Sequence, residues 1–106
     1  MSSPITVPSA LLQALIRGPN YGLALIERVE EQTNKQIKLH QGSVYPALRA
    51  LEEEGLVRSY DGEPVPERGG RPRRYYELTG KGQQAAMEQR EVVAQLFGLE
   101  LAYVGR

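Results

Sequence analysis

The chain has 106 residues, 41% of them hydrophobic, which fits one small domain with a modest core. It contains no cysteine and a single histidine, His40. This excludes a disulfide framework, a thiolate metal site and a zinc centre built on several histidines. The formal net charge is zero, whereas domains that bind nucleic acid are usually basic.

The charges are nevertheless unevenly distributed along the chain. No acid lies between Glu31 and Glu52, and the arginines at positions 68, 71, 73 and 74 have no acid among them. If such basic segments share a face, a local positive potential can exist on a neutral protein.

The sequence shows no pattern that directs a chain to a membrane. Residues 1–5 are expected to be loosely held and lack a signal-peptide pattern. No apolar stretch approaches the roughly 20 residues that span a bilayer. We therefore expect a cytoplasmic protein with no membrane partner.

The first two predicted elements are helices. Apolar residues at helical spacing predict a helix over residues 8–17, which Gly18 and Pro19 would end. Asn20 is a suitable N-cap for a second helix over residues 21–33.

A short strand is predicted next, over residues 34–39. Ile37 and Leu39 alternate with polar residues there, as on a strand with one buried face.

The clearest helix pattern covers residues 43–54. Gly42 and Ser43 would open this helix, because Pro46 fits only in a first turn, where its missing N–H has no intrahelical partner. Gly55 occupies the position of a left-handed residue just past the end of the helix.

This helix has two faces. Ser43, Tyr45 and Arg49 point outward, and such groups suit phosphates and base edges in a major groove. Alternatively, Ser43 only caps the helix and Tyr45 only packs at the rim of the core. The residues predicted to be buried are Val44, Ala47, Leu48 and Leu51.

A hairpin follows, with strands over residues 56–60 and 73–78 and a loop rich in glycine and proline over residues 61–71. Its arginines could contact the DNA backbone or an adjacent minor groove, or could simply be solvated. Arg74 ranks below Arg71 and Arg73, because it can instead belong to the strand and pair with Glu77 or with the acidic end of the preceding helix. The arginines of this hairpin are Arg68, Arg71, Arg73 and Arg74.

Thr79 is the predicted N-cap of a last helix, over residues 80–103. Its apolar stripe is wide for a terminal helix that packs only on its own domain, so we expect a dimer interface shared with the first helix. The alternative is an ordinary core within one chain. The expected interface residues are Leu11, Leu12, Leu15, Val92, Val93, Leu96, Phe97 and Leu99.

Two patterns that could suggest an enzyme lack the context that the chemistry needs. Residues 80–85 match the loose dinucleotide fingerprint, but too few residues follow for a complete βαβ unit. His40 and Ser43 precede a helix with no pocket that could activate a nucleophile. We therefore expect no enzyme activity, no cofactor and no metal.

The order of the elements is that of a winged helix-turn-helix domain with a C-terminal helix added. The expected fold is mainly α with a small β-wing, in the α+β class. Residues 1–78 would be the DNA-binding domain and residues 79–106 the dimerisation helix of the same structural unit.

Three motifs in this order resemble the PadR family of transcriptional regulators, in its short form with a single C-terminal helix. The motifs are Pro19-x-Tyr21-Gly22, Gly42-Ser43-Val44-Tyr45-Pro46-Ala47-Leu48-x-x-Leu51-Glu52-x-x-Gly55-Leu56-Val57 and Gly70-Arg71-Pro72-Arg73-Arg74-Tyr75-Tyr76-x-Leu78-Thr79-x-x-Gly82.

The resemblance implies a homodimeric repressor that binds a pseudo-palindromic operator in double-stranded DNA. It also implies release by an effector, here a small molecule of unknown identity. Phe97 and Tyr103 could line an apolar slot for it, although such residues are more often core. The residues expected to contact DNA are Tyr21, Lys38, His40, Gln41, Ser43, Tyr45, Pro46, Arg49, Arg68, Arg71, Arg73 and Arg74.

A rival hypothesis is a winged-helix module that binds a protein and has lost DNA binding. The zero net charge and the acidic run at residues 52–54 favour this alternative.

Overall fold

The structure is a computed structural model that describes residues 5–98. This part of the chain contains four α-helices, a 3₁₀ turn and a small antiparallel sheet, which confirms the predicted α+β class. No helix within it is long and apolar enough to cross a membrane. The elements are α1 (Val7–Leu15), β1 (Asn20–Tyr21), α2 (Gly22–Gln32), α3 (Gln41–Glu53), β2 (Val57–Pro64), the 3₁₀ turn (Pro66–Arg68), β3 (Pro72–Leu78) and α4 (Gly80–Leu96).

The sheet has the strand order β1-β3-β2. Tyr75 of β3 lies opposite Tyr21 of β1 and Tyr60 of β2. The next residue, Tyr76, lies opposite Ser59 of β2 and points to the other face. The sheet therefore has an outer face that carries three tyrosines in a row and an inner face that continues into the core.

The core is built around α1, which packs against α2, α3, α4 and β3. Leu11, Leu12 and Leu15 of α1 are only 0–3% exposed within a single chain. This burial places these three side chains in the core of a single chain and leaves little of their surface for the expected dimer interface. The fully buried large side chains are Leu11, Leu25, Leu48, Val44 and Val57.

The segment between α2 and α3 does not form the predicted strand over residues 34–39. Asn34 and Lys35 adopt left-handed backbone conformations, with φ of 55° and 67°. Ile37 and Leu39 are partly buried against the core, and this packing accounts for their alternation.

The first strand is formed instead by Asn20 and Tyr21, just before α2. The prediction that Asn20 is the N-cap of α2 is therefore wrong. Its side chain accepts a hydrogen bond from the N–H of Tyr21 at 3.0 Å, and Tyr21 occupies the cap position without a side-chain bond of its own.

The start of α3 also differs from the prediction, whereas its end agrees. The helix begins at Gln41 with His40 as N-cap, so Pro46 lies inside it and not in the first turn. The carbonyl that loses a donor belongs to the exposed Gly42, where water can replace the missing bond.

Gly55 ends α3 as predicted, with φ of 77°. Its N–H donates to the carbonyl of Glu52 at 3.0 Å, and the N–H of Leu56 donates to that of Leu51 at 2.9 Å. This pair of bonds is a Schellman motif.

The β2–β3 hairpin is longer than predicted, because β2 continues to Pro64. The loop is correspondingly short and turns through Gly69 and Gly70, both with positive φ. Pro72 already belongs to β3.

Thr79 caps α4 as predicted, because its hydroxyl accepts a hydrogen bond from the N–H of Gly82 at 3.0 Å. The helix ends at Leu96, earlier than the predicted residue 103, and Gly98 follows with φ of 67°. Leu99 lies outside the described residues.

Gly82 is required for close packing between α4 and the segment that follows α3. A Cβ at this position would collide with the backbone carbonyl of Leu56. The hydroxyl of Thr79 also donates to the carbonyl of Gly55 at 2.6 Å. The first turn of α4 is therefore fastened to the chain that follows α3.

We predict that Gly82→Ala destabilises the fold by about 1–3 kcal/mol, because the backbone of one segment must shift to admit the methyl group. Urea unfolding measures this loss. The matched control is Gly80→Ala, where nothing lies within 4 Å of the added carbon. Equal stability of the two variants would contradict this account of Gly82.

Candidate nucleic-acid interface

The face of α3 that is turned away from the core carries five of the twelve predicted contact residues. Burial of Val44, Leu48 and Leu51 on the inner face leaves the polar side chains outside. The exposed residues on this helix include Gln41, Ser43, Tyr45, Pro46 and Arg49.

Tyr45 also connects α3 to α2. Its side chain is 38% exposed, but the ring lies over Gly22, in the first turn of α2. A Cβ at Gly22 would come within 2.6 Å of the Tyr45 hydroxyl oxygen. The absence of a side chain at Gly22 therefore allows the two helices of the helix-turn-helix to approach each other at this point.

The segment that leads into α3 presents two further predicted residues, Lys38 and His40, and both are exposed. The backbone carbonyl of His40 accepts hydrogen bonds from the N–H groups of Ser43 and Val44, each at 2.9 Å. The imidazole takes no part in these bonds, so it remains at the surface beside the helix N-terminus.

Tyr76 of β3 packs into the core from the inner face of the sheet, and it is not among the predicted site residues. Its side chain is 9% exposed, and burial raises the pKa of its phenol. The charge of Arg74 opposes this increase in the pKa, and the charge of Glu52 adds to it. The only sequence pattern that could have indicated this position is the Tyr75-Tyr76 pair, whose members must face opposite sides of a strand.

Glu52 is also bound to the sheet. Its carboxylate accepts a hydrogen bond from the hydroxyl of Ser59 at 2.6 Å. Together with the packing of Tyr76, this bond fixes the position of α3 relative to β2 and β3.

The turn of the wing carries Arg68 and Arg71, and both are exposed. The Nε–H of Arg71 donates to the carbonyl of Arg68 at 3.0 Å, which orders the turn. Neither guanidinium forms an ion pair with a carboxylate in residues 5–98.

Arg74 is neutralised by a neighbour, but the neighbour is not Glu77. Its guanidinium pairs with Asp61 across the hairpin at 3.4 Å. Glu77 pairs instead with Arg58 at 2.6 Å, because these two residues lie directly opposite each other in the register of β2 and β3. The expectation that Arg74 pairs with Glu77 or with the acidic end of α3 is therefore wrong, because its partner is Asp61.

Arg73 lies on the outer face of the sheet, where it meets Tyr21. The central carbon of its guanidinium is 4.6 Å from the centre of the Tyr21 ring. Both side chains are half-buried, unlike the exposed arginines of the turn. Arg73 and Tyr21, which were both predicted to contact DNA, therefore contact each other.

The last turns of α4 expose a group of apolar side chains. Leu96 and Phe97 are 76% and 65% exposed, and Val92 is 60% exposed. Val92 also borders an apolar cleft of about 650 Å³, which lies between α1 and α4 and is lined by Leu12 and Leu56 among others. Tyr103, the second residue suggested for a ligand slot, lies outside the described residues.

The described elements define a winged helix-turn-helix protein, with α2 and α3 as the helix pair and the β2–β3 hairpin as the wing. The Transcriptional regulator PadR-like family matches residues 11–88. The chain therefore belongs to the PadR-like family of transcriptional regulators and is not an enzyme.

Solved structures of transcriptional regulators share this fold. A transcriptional regulator from Clostridium thermocellum superimposes with a TM-score of 0.74 at 24% identity, covering 92% of this chain and 89% of that one. A PadR-like transcription factor from Bacteroides fragilis gives a TM-score of 0.72 at 26% identity, covering 87% and 84%.

Bacillus subtilis PadR in complex with operator DNA gives a TM-score of 0.69 at 20% identity, covering 79% of this chain and 46% of that one. This chain therefore corresponds to about half of that longer regulator. A comparison with curated proteins found no match.

The raised pKa of Tyr76 predicts a pH effect on stability. Above pH of about 10 the phenol ionises first in the unfolded chain, so the free energy of unfolding should fall as the pH rises through that region. Tyr76→Phe removes this contribution. The free energy of unfolding of the wild type should therefore decrease relative to that of Tyr76→Phe between pH 9 and 11, and a constant difference would contradict the prediction.

Proposed function

We propose that this regulator represses transcription as a homodimer that binds a pseudo-palindromic operator through α3 and the wing. The observation that carries the proposal is the outward face of α3, where Ser43, Tyr45 and Arg49 stand on a helix whose other face is buried. The DNA-bound state of the Bacillus subtilis neighbour supports the same use of the fold here. As part of this proposal, residues 1–78 bind DNA, residues 79–106 dimerise, and the protein acts in the cytoplasm.

The two parts of the proposed interface have different roles. Arg49 is the only cation of α3 and is followed by glutamates at positions 52–54, so this helix supplies little net positive charge. Arginine and hydroxyl groups on it are suited to read base edges and to fix the register. The arginines of the wing that form no ion pair in residues 5–98, at positions 68, 71 and 73, would supply most of the attraction to phosphate.

We predict a linear decrease of log K with log salt concentration for binding to a promoter fragment, because phosphate contacts release counterions. Replacing Arg71 and Arg73 with alanine should weaken binding to all sequences and reduce the slope by about one unit per arginine in each subunit. Arg49→Ala should weaken binding to the operator more than binding to unrelated DNA.

The control for the wing variants is Arg58→Ala, which removes a cation that is already paired with Glu77. This change should leave the slope nearly unchanged. A flat salt dependence of the wild type, or no retarded promoter fragment even at low salt, would favour the rival hypothesis of a protein-binding module.

The proposed dimer uses the exposed apolar end of α4. The side chain of Gln13 in α1 donates to the carbonyl of Ala86 at 2.8 Å and to the side chain of Gln89 at 3.1 Å. These bonds hold α4 against α1, so its exposed residues form a fixed surface beside the cleft. We propose that a second copy covers this surface.

The cleft between α1 and α4 is also large enough for an apolar small-molecule effector.

We predict that the double variant Val92→Glu, Leu96→Glu sediments as a monomer of 11.8 kDa, whereas the wild type sediments at about twice that mass. Burying two carboxylates in an apolar interface would cost more than the contacts return. The control is Met87→Glu, since Met87 is 49% exposed and lies half a turn around α4 from Leu96. A monomeric wild type at micromolar concentration would contradict the dimer.

A further inference from the structure

Three tyrosines form a continuous row across the outer face of the sheet. Tyr21 of β1, Tyr75 of β3 and Tyr60 of β2 are direct cross-strand neighbours. The Tyr60 and Tyr75 rings are stacked, with centroids 5.7 Å apart and planes 19° apart. The edge-to-face contact of Tyr21 with Tyr75 has a centroid distance of 5.6 Å and an angle of 75°. Both geometries are favourable for aromatic pairs.

The backbone leaves room for this arrangement at Gly62. A Cβ at Gly62 would lie 2.5 Å from Cε1 and 2.7 Å from Cδ1 of Tyr75. The backbone of Gly62 does not adopt a positive φ, so its conformation alone does not require glycine. The lack of a side chain at this position is what allows the Tyr75 ring to lie over β2.

Arg73 is at the end of this row. It lies on the same face of β3 as Tyr75, two residues along the strand, and its guanidinium is over the Tyr21 ring at 4.6 Å. Contact with an aromatic face leaves the N–H donors of a guanidinium in its own plane, where they can bind a phosphate. Its neighbours Arg58 and Arg74 each have a carboxylate partner instead.

The same geometry argues against a second reading, in which the row stacks with nucleobases. A stacking platform must offer open ring faces. Here Tyr60 and Tyr75 each cover one face of the other ring, and Arg73 covers one face of Tyr21. The rings are therefore arranged to support one another and the arginine.

We infer that the row of Tyr60, Tyr75 and Tyr21 positions Arg73, in one fixed orientation, for a phosphate of the operator backbone. Tyr21 is then a positioning residue that acts through its ring, and its hydroxyl does not contact DNA. A guanidinium that is already oriented loses less conformational freedom when it binds. This inference rests on the proposed operator binding and adds a role for the outer face of the sheet.

The first test needs no DNA. In the free protein, the ring current of Tyr21 should shift the side-chain proton resonances of Arg73 upfield. The shift should persist in Tyr21→Phe and disappear in Tyr21→Leu. Random-coil shifts for Arg73 in the folded wild type would overturn the inference and leave the proposed function standing.

The second test is a double-mutant cycle in operator binding. Tyr21→Leu should weaken binding by roughly two- to fivefold per subunit, which is the range expected for a cation–π contact at the surface. Tyr21→Phe should bind like the wild type. In an Arg73→Ala background, Tyr21→Leu should have no further effect.

Equal losses for Tyr21→Phe and Tyr21→Leu would show that the hydroxyl contacts DNA, and would overturn the positioning role. A loss for Tyr21→Leu that is unchanged in the Arg73→Ala background would overturn it too. If the wild type binds no operator, both the proposed function and this inference fail.

Gly62 allows a test that touches neither Tyr21 nor Arg73. Gly62→Ala should displace the Tyr75 ring, reduce the upfield shift of Arg73 and weaken operator binding by a similar factor. Gly80→Ala is the matched control, because its added carbon meets nothing within 4 Å. Wild-type shifts and affinity in Gly62→Ala would contradict the dependence of Arg73 on the row.

Discussion

Burial of one face of α3 is the constraint on which the rest of the molecule depends. Val44, Leu48 and Leu51 are 0–2% exposed, and they pack into a core centred on α1. Side chains of this kind contribute about 1.5–3 kcal/mol each when fully buried. This stripe leaves the helix one rotational setting about its axis, and that setting decides which residues face outward. The surface that we propose for DNA is therefore a consequence of the core.

Much of this arrangement could be predicted from local sequence patterns. The stripe of α3, the left-handed Gly55, the Thr79 cap and the β3 strand depend on residues that are close together in the chain, so their patterns are visible there. The errors fall where a distant segment decides the outcome. Residues 34–39 alternate like a strand, but β1 takes the edge of the sheet beside β3. Leu11 and its neighbours looked like a surface stripe, but α1 is covered by other elements on several sides.

Three glycines show in more detail why contacts between distant segments cannot be predicted from local sequence patterns. Gly22, Gly62 and Gly82 each lie where another residue approaches too closely for a Cβ, namely Tyr45, Tyr75 and Leu56. None of these glycines needs a positive φ. Their partners are at least 13 residues away in the chain, so no local pattern distinguishes them from glycines that only loosen a turn. For the same reason, the sequence indicated Tyr21 and Arg73 as separate contacts and could not show that they touch.

The pairing of charges explains how a neutral chain can present a positive surface. Within the hairpin, Arg58 and Arg74 are matched with Glu77 and Asp61, and so contribute little field at a distance. Ser59 binds the carboxylate of Glu52 and so holds one acid of the acidic end of α3 at the sheet. Within the hairpin, the cations that have no carboxylate partner in the described residues lie at the turn of the wing and at Arg73. A protein with this distribution gains little from the general attraction of basic proteins to any DNA. Its affinity must then come from a few arginines that are well placed, which is why the orientation of Arg73 would matter more here than in a strongly basic domain.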